Sequence, residues 1–282
     1  MQIISSPQEM QLLALEWRRA GQKIAFVPTM GALHEGHLSL LREGKKRGEK
    51  LVLSIYVNPM QFAPTEDLAR YPRDKEGDLK KAEGAGVDAV FFPSDDLMYP
   101  KGYQTFVEVT DVAKGLCGEK RPAHFKGVTT VVAKLFNIVM PHAAVFGEKD
   151  FQQLVVIKTM VMDLNMPIEI VGMPIYREAD GLAMSSRNSY LSKEEKAAAL
   201  SIPRALKTAR QLVSSGEKNA AKVIDSVKDI IESSGLARID YIKICDPATL
   251  LEIKQFGTGP ARILVAAFFG KTRLIDNCEL SS

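Results

Sequence analysis

Short, nearly continuous apolar runs recur along the N-terminal part of the chain: Ile24 to Val27, Leu51 to Val57, Ala89 to Phe92, Ala143 to Phe146 and Ile168 to Val171. Such runs are expected of strands buried on both faces of a parallel sheet. Amphipathic stretches separate them. Ser6-Pro7-Gln8-Glu9 forms a capping box with proline at the first helical position, opening a helix to about Ala20 that Gly21 is placed to end. Further helices are predicted from the turn after Val27 to about Arg47, near Asp74 to Glu83, over Gly127 to Val139 and over Phe151 to Leu164. This alternation predicts an α/β fold, a Rossmann-like doubly wound parallel sheet whose ligand crevice lies outside the carboxyl ends of its strands.

The pattern changes after about Tyr176. Ser192-Lys193-Glu194-Glu195 is a second capping box, opening a long alanine-rich helix that Pro203 is expected to kink, and another helix spans about Ala220 to Ser233. Ile239 to Ile244, Arg262 to Phe268 and Thr272 to Ile275 read as strands separated by turn signals, which suggests a small antiparallel sheet. Two domains are therefore expected: residues 1–176, Rossmann-like, and residues 177–282, a smaller α+β domain. No internal repeat or low-complexity tract interrupts them.

A length of 282 residues and a hydrophobic share of 46% suit a chain with a sizeable core. The net charge of +3 is spread along the sequence, too mild for a nucleic-acid or membrane surface; small anionic ligands fit it better. Cys117, Cys245 and Cys278 lack metal-ligand spacing, the N-terminus has no signal-peptide pattern, and no apolar run reaches bilayer length. A reducing cytoplasm is the expected compartment.

Candidate chemistry concentrates in Pro28-Thr29-Met30-Gly31-Ala32-Leu33-His34-Glu35-Gly36-His37, directly after the first apolar run. A strand that turns through small residues into a helix bearing two imidazoles in its first turn is suited to a triphosphate, because histidines three apart share one helix face. The amides and partial positive charge of the helix start add to the attraction. A zinc protease signature is the sharper competitor, but it needs histidines four apart and a third ligand, and neither is present. Met184-Ser185-Ser186-Arg187-Asn188, after Asp180-Gly181, supplies two hydroxyls and a fixed guanidinium at the domain junction, a mobile anion clamp that can close over its ligand. Asn58 and Gln61, and Gly147-Glu148-Lys149-Asp150 with Gln153, follow other strands at the same expected sheet edge.

At these residues the chain resembles the pantothenate synthetase (pantoate–β-alanine ligase) family of the His-x-Gly-His nucleotidyltransferases. The matching stretches are Val27-Pro28-Thr29-Met30-Gly31, His34-Glu35-Gly36-His37, Tyr56-Val57-Asn58-Pro59-Met60-Gln61-Phe62, Ala69-Arg70-Tyr71-Pro72-Arg73, Arg121-Pro122-Ala123-His124-Phe125, Phe146-Gly147-Glu148-Lys149-Asp150-Phe151-Gln152-Gln153 and Asp180-Gly181-Leu182-Ala183-Met184-Ser185-Ser186-Arg187-Asn188, continuing to Leu274-Ile275-Asp276-Asn277. Between Pro72 and Leu79 the acidic pattern is thinner than in some relatives, so no metal ligand is assigned there.

The resemblance implies a ligase that uses ATP, with Mg2+, to make pantoyl adenylate and then lets β-alanine displace AMP to give pantothenate. It implies a cytoplasmic homodimer acting on small molecules, without nucleic-acid or membrane partners. By the resemblance, His34, His37, Lys149, Ser185, Ser186 and Arg187 are the catalytic donors, and Pro28, Thr29, Met30, Gly31, Gly147, Glu148, Asp150 and Met184 complete the ATP site. Gln61, Gln153, Met30 and Asn58 are the expected pantoate contacts, with Pro28 and Phe62 as further apolar walls, and Arg121 with His124 is a basic cluster open to phosphate or carboxylate. Other nucleotidyltransferases, a tRNA-binding module and a silent nucleotide sensor are the alternatives. The first need not carry the paired glutamines, the second calls for a basic face that this chain lacks, and the third would show no acid-dependent reaction.

Overall fold

The computed structural model of the chain describes residues 1–64, 66–257 and 259–280. The chain divides into two compact units, Met1–Glu148 with Gln152–Pro174, and Lys149–Phe151 with Ile175–Ser282.

The first unit runs β1 (Gln2–Ile4), α1 (Pro7–Arg19), β2 (Ile24–Thr29), α2 (Glu35–Arg47), β3 (Lys50–Ile55), α3 (Lys75–Gly84), β4 (Ala89–Phe91), α4 (Asp95–Met98), α5 (Cys117–Lys120), α6 (His124–Val139), β5 (Ala143–Gly147), α7 (Phe151–Asp163) and β6 (Glu169–Met173). Its six strands form one sheet in the order β1-β4-β3-β2-β5-β6, with every pairing parallel. Side chains of a strand alternate between faces, so the sheet separates two cores. Ile24, Phe26, Val52, Phe91, Ala144 and Phe146 pack in one cluster with residues of α1, α6 and α7. Ala25, Val27, Leu51, Leu53, Val90 and Val145 pack in another with residues of α2 and α3. The doubly wound expectation is met. Chain order reverses at β2, between β3 and β5, which makes the carboxyl end of β2 a switch point where ligand crevices form.

Of the expected box at α1 only half forms among the described residues: Ser6 accepts the Glu9 amide at 3.3 Å without a return bond from the Glu9 side chain, while Pro7 opens the helix and Gly21 follows it with φ 73° as expected. The short β1, paired with β4, carries too few residues to be foreseen from its pattern.

The second unit adds α8 (Lys193–Ala199), α9 (Ser201–Ser214), α10 (Ala220–Glu232) and the antiparallel sheet of β7 (Ala237–Cys245), β8 (Ala261–Phe269) and β9 (Thr272–Leu280). Ile202, Leu206, Val223, Val227, Ile263 and Val265, all at most 3% exposed, anchor its own core. Where one kinked helix was expected there are two, separated at Leu200. Proline has no amide hydrogen, so Pro203 leaves the Ala199 carbonyl without its helical donor and the ladder stops there.

Candidate active site

The loop between β2 and α2 is held from beneath. The Asp78 side chain, on α3 and 1% exposed, accepts the Ala32 amide at 2.8 Å and the Leu33 amide at 2.6 Å. Burial pushes this carboxyl up, and the two amide bonds draw it only part of the way back. The loop needs such an anchor because Gly31 and Ala32 take φ of 86° and 51°, the left-handed region that costs an alanine strain energy. A Cβ on Gly31 would stand 2.9 Å from Asp78 Oδ2, so glycine is required twice over. Thr29 closes the strand end, donating to the Ser54 carbonyl at 2.8 Å and accepting the Gly31 amide at 3.3 Å.

The two histidines take different positions from those expected. His34 is the residue before α2, and His37 sits in its first turn. Their rings stack with centroids 4.0 Å apart and 29° between planes. The His34 amide donates to His37 Nδ1 at 3.3 Å, and a main-chain N–H can only donate. The neutral His37 ring therefore carries its proton on Nε2, as a hydrogen-bond donor. Together with the partial positive charge at the start of α2, this arrangement is suited to an anion.

The turn 58–61 is built around Asn58, which is 1% exposed. Its Oδ1 accepts the Met60 amide at 3.3 Å and the Tyr99 hydroxyl at 2.9 Å; its Nδ2 donates to the Gly127 carbonyl at 3.1 Å and to Gln61 Oε1 at 3.2 Å. Every polar position of the Asn58 side chain is thus engaged within the protein. Because a main-chain amide and a main-chain carbonyl fix which end of Asn58 is which, the Gln61 amide is fixed too: Oε1 turns toward Asn58 and Nε2 away from it, 3.0 Å from Met30 Sδ. Asn58, Gln61 and Met30, three of the four residues expected at pantoate, thus touch one another. Tyr99 and Gly127, which complete this arrangement, carried no sequence signal. A Cβ at Gly127 would lie 2.3 Å from the Met60 carbonyl oxygen, so only glycine lets α6 approach this turn.

Arg121 and His124 also meet. Arg121 pairs with both Glu66 oxygens at 2.5 and 2.6 Å, and Arg121 Nη2 and His124 Nδ1 reach the Gln61 carbonyl at 3.1 and 2.9 Å. Burial raises the Glu66 carboxyl, but the bonds and charge of Arg121 outweigh it and hold it below the usual carboxylate range. On α7 the two neighbouring glutamines diverge. Gln152 spends its amide on the Cys117 amide and the Val112 and Gly115 carbonyls, whereas among the described residues the half-buried Gln153 side chain makes no hydrogen bond. Gly147 ends β5 and Glu148 follows it; space beside the Gly147 Cα is open.

In the second unit, Lys149 Nζ stands 3.5 Å from Asp150 Oδ2 and its side chain is 21% exposed. Met184 to Arg187 follow a tight hairpin in which Arg177 bridges Ala183, and Ser185 accepts the Arg187 amide at 3.3 Å to open a short turn over Ser186–Tyr190. The hairpin is clamped. Arg177 grips Asp276 with two bonds of 2.7 and 2.9 Å and donates to the Gly181 carbonyl at 3.1 Å. Burial lowers the Arg177 guanidinium, but Asp276 outweighs it and raises it overall. Asn188 Nδ2 donates to Glu178 Oε1 at 2.6 Å and to the Ala183 carbonyl at 3.1 Å, and Lys196 pairs with Glu178 Oε2 at 2.5 Å.

Comparison with known proteins agrees with the pattern of residues. A family profile described as pantoate-beta-alanine ligase matches residues 2–279. Pantothenate synthetases of Syntrophus aciditrophicus (strain SB) and Syntrophobacter fumaroxidans (strain DSM 10017 / MPOB) are 56% and 55% identical, over 98% and 99% of this chain and 96% and 99% of theirs. The crystal structure of pantothenate synthetase from Thermus thermophilus superposes with a TM-score of 0.94 at 42% identity, covering 100% of both chains. That of the Francisella tularensis pantoate-beta-alanine ligase, complexed with beta-gamma ATP and beta-alanine, gives a TM-score of 0.82 at 33% identity over 99% of this chain and 97% of that one. The likeness extends over the whole length of the chain in sequence and in fold, and the chain belongs to the pantoate–β-alanine ligase family.

Proposed function

We propose that the chain condenses pantoate with β-alanine at the expense of ATP, releasing pantothenate, AMP and pyrophosphate. The observation that carries this reading is the pairing of a donor-lined helix start, His34 to His37, with full-length family membership. In the first step a pantoate carboxylate oxygen attacks the α-phosphorus of ATP; an O–P bond forms, the bond to the β-phosphate bridging oxygen breaks, and pyrophosphate leaves. A carboxylate is ionised at neutral pH, so no general base is needed, and the protein's task is in-line positioning and stabilisation of charge on phosphate oxygens. His37 Nε2 and the positive end of α2 are suited to that task. Lys149, Ser185, Ser186 and Arg187 are assigned to the remaining phosphate oxygens, and Pro28, Thr29, Met30, Gly31, Gly147, Glu148, Asp150 and Met184 to the nucleotide.

Gln61, presenting Nε2, is suited to a pantoate oxygen, as is Gln153. Met30, Pro28 and Phe62 are assigned to the apolar wall against the gem-dimethyl group. Asn58 acts through Gln61, because its own donors and acceptors are spent. In the second step the β-alanine amine attacks the acyl carbon of pantoyl adenylate, a C–N bond forms, the C–O bond to AMP breaks, and the amine proton passes to a departing phosphate oxygen or to water. Magnesium enters with the triphosphate as part of the substrate. We further assign the chain to the cytoplasm as a homodimer, as the family resemblance implies; sedimentation at micromolar concentration checks the dimer.

Pantoate-dependent exchange of labelled pyrophosphate into ATP tests nucleotide, acid and chemistry together. Exchange that requires pantoate but not β-alanine is expected. No exchange from folded protein, or exchange without pantoate, overturns the reading.

A further inference from the structure

Asp276 and Asn277 are adjacent on β9 and almost wholly buried, at 3% and 2% exposed. Successive strand residues face opposite sides, so the two side chains serve different faces of the same sheet. Asp276 lies in step with Leu274, Cys278 and Leu280, which join the helix-covered core. Its carboxylate takes both bonds from Arg177, whose other donation goes to the Gly181 carbonyl of the hairpin before Ser185. Asn277 faces away and donates from Nδ2 to the Lys149 main-chain carbonyl at 3.1 Å. Its Oδ1 accepts Arg262 Nη1 at 2.6 Å, and the Arg262 guanidinium lies 3.9 Å above the Phe151 ring. A carbonyl only accepts and a guanidinium only donates, so the Asn277 amide has one possible orientation.

We propose that Asp276 and Asn277 are positioning residues which hold two phosphate-binding segments, Lys149–Phe151 and the 177–188 hairpin, in one fixed relation through a single rigid strand. The proposal rests on the assignment of Lys149 and Arg187 to ATP phosphate made above. Neither β9 residue touches substrate; each fixes a main chain whose side chains do. Misplacing a catalytic group by about 1 Å costs on the order of 10²-fold in rate, so such anchoring has a kinetic signature distinct from stability.

Asn277→Asp tests it with minimal disturbance, because the Arg262 contact survives as a charge pair while the donor to Lys149 is replaced by an acceptor. Pyrophosphate exchange is read against ATP concentration for Asn277→Asp, Lys149→Ala and the double variant, and in parallel for Asp276→Asn, Arg187→Ala and their double variant. Each β9 variant is expected to lower kcat/KM for ATP about 10- to 100-fold. In the double variants it should add less than about threefold to the loss from Lys149→Ala or Arg187→Ala, since the group it positions is gone. The KM for β-alanine should stay within about twofold.

Losses that multiply in both cycles, or an Asn277→Asp protein within about threefold of wild type, overturn the proposal. If Asn277→Asp does not fold, Asn277→Ala is judged by the same criterion. If Lys149→Ala and Arg187→Ala themselves leave exchange intact, the phosphate assignment has failed; if they abolish it while the β9 variants are silent, only the positioning role has.

Discussion

The Asp78 carboxylate and the Leu33 main-chain amide meet at 2.6 Å across 45 residues of sequence, and with the Ala32 amide they pin the loop that delivers His34 and His37. The approach to α2 is thus set by a residue of another helix. Asp78→Asn keeps the shape but turns one donor toward a main-chain donor. The unpaired amide costs roughly 1–3 kcal/mol, offset by relief of a buried charge. Unfolding free energy should shift by about 1 kcal/mol or less, while kcat/KM for ATP falls on the order of 10- to 100-fold. Urea denaturation and exchange kinetics on the same preparation separate the two effects.

The same carboxyl has a pH signature. Its folded-state value lies above the ordinary 3.8 because burial outweighs the two amides. A raised folded value means the folded chain keeps this proton to higher pH than the unfolded chain. The group's contribution to stability is therefore full below 3.8 and is lost as pH rises through the raised value. The unfolding free energy of wild type minus that of Asp78→Asn should grow as pH is lowered from about 7 to about 4. A difference that shrinks over this range contradicts the assignment.

Much of this was legible from local pattern. Ile24 to Val27 is apolar on both faces because both faces are covered, and Ser6-Pro7 and Ser192-Lys193-Glu194-Glu195 start helices with their own side chains. What sequence could not give are the long-range polar contacts. Asp78 lies in the first turn of α3, where an acid reads as a dipole partner, and its use is visible only once Leu33 is beside it. Asn58 has the polarity of a ligand contact, but Tyr99 and Gly127, 41 and 69 residues away, consume it. Gln152 and Gln153 are alike in sequence; the carbonyls of Val112 and Gly115 take only the first.

Gly127→Ala should strike pantoate rather than ATP. The added methyl would meet the Met60 carbonyl at 2.3 Å and the Gln61 amide at 2.7 Å, main-chain atoms that cannot swing aside. Overpacking of this kind costs about 1–3 kcal/mol. The turn that orients Gln61 must yield, so KM for pantoate should rise at least about tenfold with KM for ATP little changed. Initial-rate kinetics at saturating co-substrate decide it.

His37→Ala removes one fixed donor and leaves the core intact, since the ring stands in the first turn of α2, outside both buried clusters. The expected loss in exchange rate is about 10²–10³-fold, with unchanged thermal unfolding. Lys149→Ala should behave alike. Activity within about threefold of wild type removes either residue from the assignment. Because His37 Nδ1 is already occupied by the His34 amide, only a replacement that donates from the Nε2 position should restore rate. His37→Gln, whose amide nitrogen reaches that far, is expected to recover more activity than His37→Asn.

Asp276 and Arg177 give the last test, of stability rather than rate. Asp276 is almost fully buried, whereas the Arg177 side chain is 33% exposed, so part of its charge is still met by water. Removing the carboxylate alone leaves the part-buried Arg177 guanidinium without its charge partner. Breaking a buried pair costs about 3–5 kcal/mol, and the partial exposure places Asp276→Ala at the lower end of that range. Replacing both partners with apolar residues of similar size removes the unpaired charge as well as the bond. Arg177→Met with Asp276→Leu should therefore recover most of the lost unfolding free energy while leaving the hairpin before Ser185 without its clamp. A double variant that is stable by denaturant titration yet fails in exchange would separate what this ion pair does for the fold from what it does for the site.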